Sequence, residues 1–160
     1  MKHNRILYIG LTFLIFLSLK PTYSSAHFDH AEPKQSYRQS IFALLALNFG
    51  PIMSMAKGDM EWDQKLLKEY VHDLDQIANL DLSSGFTPNS KKGKTRAKLE
   101  IWENPDDFRS KISELRVTTA NLRLAVTNDE DKKSVMSAIR ATGKSCKSCH
   151  DGYKAKDYIY

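Results

Sequence analysis

Apolar side chains recur along most of the chain with the three-to-four-residue spacing of an α-helix. Between positions 34 and 57, and again between 61 and 80, they form a stripe along one side of each segment. A stripe of this kind belongs to a helix that packs one face into a core. We therefore predict two amphipathic helices, joined by a short link at 58–60.

The second half of the chain predicts two more helices. The run Asn104-Pro105-Asp106-Asp107 offers an N-cap, a proline at the first helical position and acidic residues in the first turn. Helical spacing continues from there to position 126. A similar polar start at 128–131 opens a fourth stretch, whose apolar face reaches Tyr153.

Residues 81–103 lack this period and separate the second helix from the third. Their serine, glycine, proline and lysine residues favour turns and solvent, and a loop of this length in a small domain usually covers another part of the molecule. No segment alternates polar and apolar residues over the length of a strand. The pattern predicts an all-α fold, an antiparallel up-down-up-down four-helix bundle.

The first 26 residues have the composition of a secretory signal. Lys2 and Arg5 precede an uncharged stretch at 6–19, and small residues end the segment at Ala26. The stretch is shorter than the roughly 20 apolar residues needed to cross a bilayer. We therefore expect residues 1–26 to be cleaved on export to the periplasm, leaving 27–160 as the bundle domain with no stable membrane insertion.

Most of the net positive charge belongs to this segment and is lost when it is removed. The whole chain has 24 basic and 19 acidic residues, a net charge of +5. Three of the basic residues lie in 1–26 and no acidic ones do, so the excess falls to +2. The lysine-rich run at 91–98 has no interleaved aromatic residue, which argues against a nucleic-acid site and favours a solvated loop or the steering of an acidic redox partner.

The candidate chemistry lies near the end of the fourth helix, in the C-x-x-C-H run from Cys146 to His150. This run is typical of covalent haem attachment. Two cysteines about one helical turn apart can each form a thioether with one porphyrin, and the adjacent histidine can then reach the iron. We predict one haem c, attached through Cys146 and Cys149, with His150 as the metal ligand.

Two other interpretations use the same cysteines. A redox dithiol is expected at a strand-to-helix junction rather than at the end of a helix in an all-helical chain. A zinc site needs four ligands, and the chain has only two cysteines. Haem attachment alone uses both cysteines, the histidine and the export signal.

The bundle topology indicates what faces the other side of the iron. In an up-down-up-down arrangement, the residues level with His150 lie near 38–42, 74–78 and Phe108. Phe42 is therefore the side chain expected over the open iron face, and a phenylalanine cannot coordinate. Other donors lie elsewhere: Met53 and Met55 are roughly 16 to 20 Å further along the axis and His72 roughly 12 Å away, while His27 and His30 lie in the terminal segment.

Several short runs resemble the cytochrome c′ family, a class of c-type cytochromes. They include the run at 37–40, the pair at 49–50, the run Met55-Ala56-Lys57-Gly58, the run at 100–102 and the C-terminal stretch 143–151. The resemblance implies a five-coordinate iron with a crowded apolar face that admits nitric oxide and carbon monoxide. It also implies that Arg38 approaches a haem propionate, that Lys154 stands where several relatives have arginine, and that helices one and two form a homodimer.

The candidate haem-binding residues are therefore Cys146, Cys149, His150, Arg38, Gln39, Phe42, Trp102, Phe108, Tyr153 and Lys154. Two functions are compatible with them. The first is a non-enzymatic haem protein with five-coordinate iron, which binds diatomic gases for detoxification or transfers electrons. The alternative is a six-coordinate, low-spin electron carrier of the same bundle family.

Overall fold

The computed structural model describes residues 32–91 and 94–157, and in them four long helices form the bundle. They are α1 (Pro33–Lys57), α2 (Gln64–Ala78), α3 (Pro105–Thr127) and α4 (Lys132–Tyr153). Each helix packs against the next in sequence, and α1 also meets α4. The predicted all-α, up-down-up-down architecture is confirmed. The predicted signal segment, 1–26, lies outside the described residues.

Capping interactions set the helix ends more narrowly than the apolar pattern does. Helix α2 begins at Gln64, not at 61, because the Asp63 carboxylate accepts hydrogen bonds from the amides of Lys65 and Leu66 at 2.9 and 3.0 Å. In α4, Asp131 caps the amide of Ser134. Gly58 closes α1 with φ +84°, a left-handed conformation that glycine adopts at little cost.

The start of α3 differs in one respect from the expectation. Asn104 does occupy the N-cap position, but its side chain makes no capping hydrogen bond. The side-chain amide of Asn104 instead donates from Nδ2 to the carbonyl of Glu100 at 3.3 Å, because a short helical turn at Glu100–Glu103 directly precedes it. The first turn of α3 keeps its acidic residues and Pro105.

Two apolar clusters divide the interior along the bundle axis. The first, which we call the main core, joins all four helices around Ile52, Leu67, Leu122 and Ile139. The second, the site-end cluster, contains Ile41, Leu82, Ile101, Phe108, Ile112 and Tyr153. It lies where α4 ends, so that the candidate chemistry borders an aromatic-rich part of the interior.

A buried carboxylate connects α2 to α3 at the level of the main core. Asp75 accepts hydrogen bonds from Arg123 Nε at 2.8 Å and from Thr119 Oγ1 at 3.2 Å. Burial of a charged group is tolerated when it is paired and hydrogen-bonded in this way. The pair fixes the position of α3 relative to α2.

The predicted loop at 81–103 is folded rather than solvated throughout. It contains two short 3₁₀ helices, Leu82–Phe86 and Pro88–Ser90, followed by the turn at Glu100–Glu103. Leu82, Ser90, Thr95 and Ile101 are buried. The expectation that this loop covers another part of the molecule is confirmed, and what it covers is the site-end cluster.

Helix α1 is long and apolar enough to cross a membrane, by length and composition only. In the bundle, the same helix turns Arg38, Ile41, Ile52 and Met55 toward the interior. Much of its apolar surface remains outside, and Leu47 is 67% exposed. Ala43, Leu44, Ala46 and Leu47 of this outer face are exposed.

Candidate haem-binding site

The two cysteines and the histidine occupy the last two turns of α4. Cys146 and Cys149 are half-buried and do not form a disulfide. His150 follows directly and is exposed at the surface of the same helix end. The three side chains thus lie within one helical turn of each other on a continuous helix.

Hydroxyl side chains between these residues hold α4 against α3. Ser145 Oγ lies 3.0 Å from Thr118 Oγ1, and Lys111 Nζ donates to Ser148 Oγ at 2.9 Å. Thr142 adds a hydrogen bond to the carbonyl of Thr118 at 3.2 Å. Ser148 of the attachment motif and the preceding Thr142 and Ser145 therefore anchor α4 to α3, and Cys149 packs against the site-end cluster.

The acidity of the thiols argues against redox chemistry by a dithiol. Burial, with a contribution from Cys146, raises the pKa of Cys149 to about 11, and burial also raises the pKa of Cys146. Reactive cysteines have lowered pKa values, because the thiolate is the nucleophile. Nor does the described part of the chain bring together three or more histidine, cysteine or carboxylate side chains that could hold a metal ion such as zinc.

Aromatic rings line the interior beside the motif. Phe42 of α1 meets the His150 ring edge-on, with ring centroids 6.4 Å apart, and lies at the same distance from Phe86 of the loop. Phe86 in turn packs on Phe108 at 4.8 Å, and Phe108 packs on Tyr153 at 5.2 Å. Helices α1, α3 and α4 and the loop each contribute to this aromatic cluster.

Arg38 is 2% exposed, and its buried side chain binds the loop at 81–103. Its guanidinium donates to the carbonyls of Gly85 and Ser90 at 3.0 and 2.9 Å and to Thr95 Oγ1 at 3.2 Å. It also lies 5.2 Å from the centre of the Phe86 ring, within the range of a cation–π contact. The structure thus gives Arg38 a role in the loop, and its approach to a propionate stays a prediction.

The loop also binds the end of α4. The amide of Lys98 donates to the carbonyl of Tyr153 at 3.0 Å, and the amide of Ala155 donates to the carbonyl of Arg96 at 2.8 Å. Lys98 Nζ donates to the carbonyls of Asp151 and Gly152, each at 3.2 Å. These bonds close the last turn of the helix that carries His150.

His150 opens onto a cleft of about 380 Å³. Arg96, Lys98, Lys154 and Lys156 line this cleft with Asp151 and Ala155. Partial desolvation by the surrounding residues, together with the positive charges of Lys154 and Arg96, lowers the pKa of His150. The neutral imidazole, which is the form that binds iron, is favoured by these surroundings.

The remaining predicted residues divide between the site and the surface. Trp102 is half-buried and donates from Nε1 to the carbonyls of Phe86 and Thr87 at 3.1 and 3.0 Å, which secures the loop. Gln39 is exposed. Phe108 and Tyr153 are buried in the site-end cluster, and the Tyr153 hydroxyl donates to the Asp107 carboxylate.

The other side chains that could coordinate iron lie away from His150, as the rise along the helices predicted. Met53 and Met55 pack in the main core, away from the site-end cluster, and His72 is exposed. His27 and His30 lie outside the described residues. Phe86 is the contact that sequence reasoning missed: it stands in an aperiodic segment, and only the preceding glycine, Gly85, gave a signal, as a turn residue.

The residues fit a covalently attached haem. The two thiols are free, the imidazole beside them borders an open cleft, and the neighbouring interior is aromatic and apolar. Cys146 and Cys149 would form the thioethers and His150 would bind the iron. These features define a c-type haem site at one end of a four-helix bundle.

Known proteins with the same features were found by sequence and by structure. The family model described as Cytochrome C' matches residues 34–154. A cytochrome c' from Cereibacter sphaeroides is 35% identical over 130 residues, which is 79% of this chain and 85% of that protein. The structure of cytochrome c prime from Shewanella frigidimarina has a TM-score of 0.75 and 33% identity, with 81% of this chain and 99% of that one covered.

A nitric oxide complex of a point mutant of cytochrome c prime from Alcaligenes xylosoxidans is also similar. It has a TM-score of 0.71 and 30% identity, and the match covers 81% of this chain and 99% of that chain. The present chain belongs to the cytochrome c′ family. It binds one haem c covalently, and its two cysteines, Cys146 and Cys149, are the attachment residues.

Replacement of Asp107 by asparagine should make a buried tyrosine more acidic. The hydrogen bond to Asp107 raises the pKa of Tyr153 to about 12. Since an unfolded tyrosine has a pKa of about 10, this bond stabilises the folded state below about pH 10, and its contribution is lost as the pH rises to about 12. In Asp107→Asn, we expect the pKa of Tyr153 to fall toward 10, so that the highest-pH step of an ultraviolet phenolate titration moves to lower pH.

The matched control is Asp106→Asn, because the carboxylate of Asp106 pairs with Arg109 and not with Tyr153. Tyr153→Phe identifies the titrating group by removing it. An unchanged tyrosine titration in Asp107→Asn would show that the carboxylate does not hold the phenol proton.

Proposed function

We propose that this chain is an exported, periplasmic haem protein in which His150 is the only protein ligand to the iron and which binds nitric oxide and carbon monoxide. The observation that carries the proposal is the contact of Phe42 with His150, at 6.4 Å between ring centroids. With His150 bound to the iron, Phe42 would face the haem with a hydrocarbon ring, which cannot serve as a sixth ligand. The haem itself supplies an iron centre that binds neutral diatomic gases and exchanges electrons.

The chain's own residues would select neutral ligands. Phe42 and Phe86 present hydrocarbon surface and offer neither a hydrogen-bond donor nor a charge to an incoming anion. Phe42 must also move for a ligand to enter, and its packing on Phe86 restrains that movement. The proposed function is accordingly gas binding, without a catalytic role for any side chain.

The comparisons support the proposal by analogy. A similar protein, the point mutant from Alcaligenes xylosoxidans, was solved as a nitric oxide complex. The low-spin alternative needs a second protein ligand. Within residues 32–91 and 94–157, the site-end cluster contains no methionine, and the histidine other than His150, His72, is exposed on α2, so the described residues favour the five-coordinate form.

An absorption spectrum of the haem-loaded, reduced protein tests the coordination. We expect the broad Soret band of high-spin iron, and we expect nitric oxide and carbon monoxide each to change it at micromolar concentration. The protein before gas addition serves as its own control. Sharp, split visible bands that gas does not alter would indicate a six-coordinate iron and overturn the proposal.

Replacement of Phe42 by alanine tests the gate. Because the ring has to be displaced before a gas can bind, Phe42→Ala should raise the association rate of carbon monoxide at least about tenfold, which corresponds to about 1.4 kcal/mol of activation free energy. The rate is measured by stopped flow or flash photolysis.

The control for this experiment is Leu124→Ala, an exposed leucine on α3. It should leave the association rate unchanged. Equal rates for Phe42→Ala and the unsubstituted protein would remove Phe42 from the gating role.

We further propose that two copies of the chain form a homodimer through the outer face of α1, with α2 beside it. This face carries Ala43, Leu44, Ala46, Leu47 and Gly50, all exposed in the single chain. A contiguous apolar surface of this kind marks a protein interface. A second copy covers it because the self-complementary contact of a two-fold dimer buries the same face on both subunits.

A charge placed on this face should separate the dimer. We expect Leu47→Glu to sediment as a monomer at concentrations at which the unsubstituted protein sediments as a dimer, since burial of an unpaired carboxylate is unfavourable. The matched control is Val117→Glu on α3, where the residue is also exposed, at 56% against 67% for Leu47. A monomeric unsubstituted protein would contradict the proposal.

A further inference from the structure

The cleft beside His150 concentrates the positive charge of the chain. Arg96 and Lys98 reach it from the loop, and Lys154 and Lys156 reach it from the segment that follows α4. We call these four residues the basic face. The loop and the C-terminal segment are held together by the backbone bonds between Arg96 and Ala155 and between Lys98 and Tyr153.

The charges of the basic face are not neutralised within the described part of the chain. Asp151 is the acidic residue of the cleft lining, and its carboxylate pairs with Lys147 on the same helix. Arg96 and Lys98 donate to backbone carbonyls, which carry no net charge. With four cations and one carboxylate, the residues of the lining have a charge of +3, not counting the propionates of the haem, whereas residues 27–160 as a whole carry only +2. The remainder of that chain is therefore slightly negative.

The arrangement suits a large, acidic surface better than an enclosed small ligand. Lys154 and Lys156 are exposed, and the cations come from two separate segments of the chain. Arg96 Nε is fixed by a 2.8 Å hydrogen bond to the carbonyl of Ala155, so part of the face is preorganised. Positive potential in a cleft attracts negatively charged partners and raises their rate of encounter.

We propose that the basic face is the docking site for an acidic electron-transfer protein. Docking there would bring the partner next to His150, the residue proposed to bind the iron. The inference rests on the proposed function only in that ligation, and it is independent of gas binding. It assigns the steering role to the cations that surround the histidine rather than to the lysine run at 91–98 as a whole.

The rate at which charged small molecules reduce the haem tests whether the basic face attracts anions. The haem-loaded ferric protein is reduced by the anionic iron(II)–EDTA complex and, separately, by the cationic hexaammineruthenium(II). In Lys154→Gln/Lys156→Gln we expect the anionic reductant to react at least about threefold more slowly at low ionic strength, and the difference to vanish at high salt. The cationic reductant should not be slowed.

The control pair is Lys65→Gln/Lys133→Gln, which removes the same charge at the opposite end of the bundle. Lys133 precedes His150 by enough residues of α4 to lie about 25 Å away along the helix. If the two double variants slow the anionic reductant equally, the effect is one of net charge and the proposal is wrong.

Binding of a polyanion tests the docking itself. Poly-glutamate is titrated into the haem-loaded protein by calorimetry, with inorganic phosphate at matched ionic strength as the small-anion probe. We expect poly-glutamate to bind, and to bind at least about fivefold more weakly to Lys154→Gln/Lys156→Gln than to the control pair. Loss of this difference, or equally effective binding of phosphate to the face, would overturn the proposal.

The binding measurement needs no gas and no assumption about spin state. A six-coordinate spectrum with intact poly-glutamate binding would reject the gas-binding function alone. A five-coordinate spectrum with no difference between the double variants would reject the basic face alone.

Discussion

The buried guanidinium of Arg38 is the interaction on which the site end of the bundle depends. It projects from α1 into the loop and binds two carbonyls and a hydroxyl there. A buried charge without partners is costly, and so are buried carbonyls. Each therefore requires the other. The loop that they fix carries Phe86 onto Phe42 and carries Arg96 and Lys98 onto the end of α4. One hydrogen-bonded charge thus positions both the apolar and the basic surroundings of His150.

These two surroundings separate two kinds of chemistry on one helix end. On the interior side, Phe42, Phe86 and Phe108 provide hydrocarbon surface. On the outer side, four cations border the cleft onto which His150 opens. A neutral molecule can enter the first environment without losing hydration energy, whereas an anion is favoured only in the second. Gas ligands and charged partners would accordingly approach the haem from different directions.

The four helices and the attachment motif could be predicted from sequence, because both are local patterns. Helical spacing places Ile41, Phe108 and Tyr153 on inner faces, and the C-x-x-C-H run needs only five consecutive residues. The start of α2 was predicted three residues too early, since the apolar stripe does not register the cap at Asp63. The fold of the loop was not predicted. Its hydrogen bonds join Arg38 to residues that lie between 47 and 57 positions further along the chain. A periodic pattern does not predict such distant pairs. Phe86 was missed for the same reason.

The antiparallel bridge between Ala97 and Lys154 has a consequence for the order in which the molecule is built. Contacts that join distant parts of a chain form after local ones, because the entropy of closing the intervening segment must be overcome first. The helix that holds Cys146, Cys149 and His150 is local, whereas the segment that covers it is tied down by bonds spanning up to 59 positions. We therefore expect the attachment residues to acquire their helical arrangement before the loop is bonded to the end of α4.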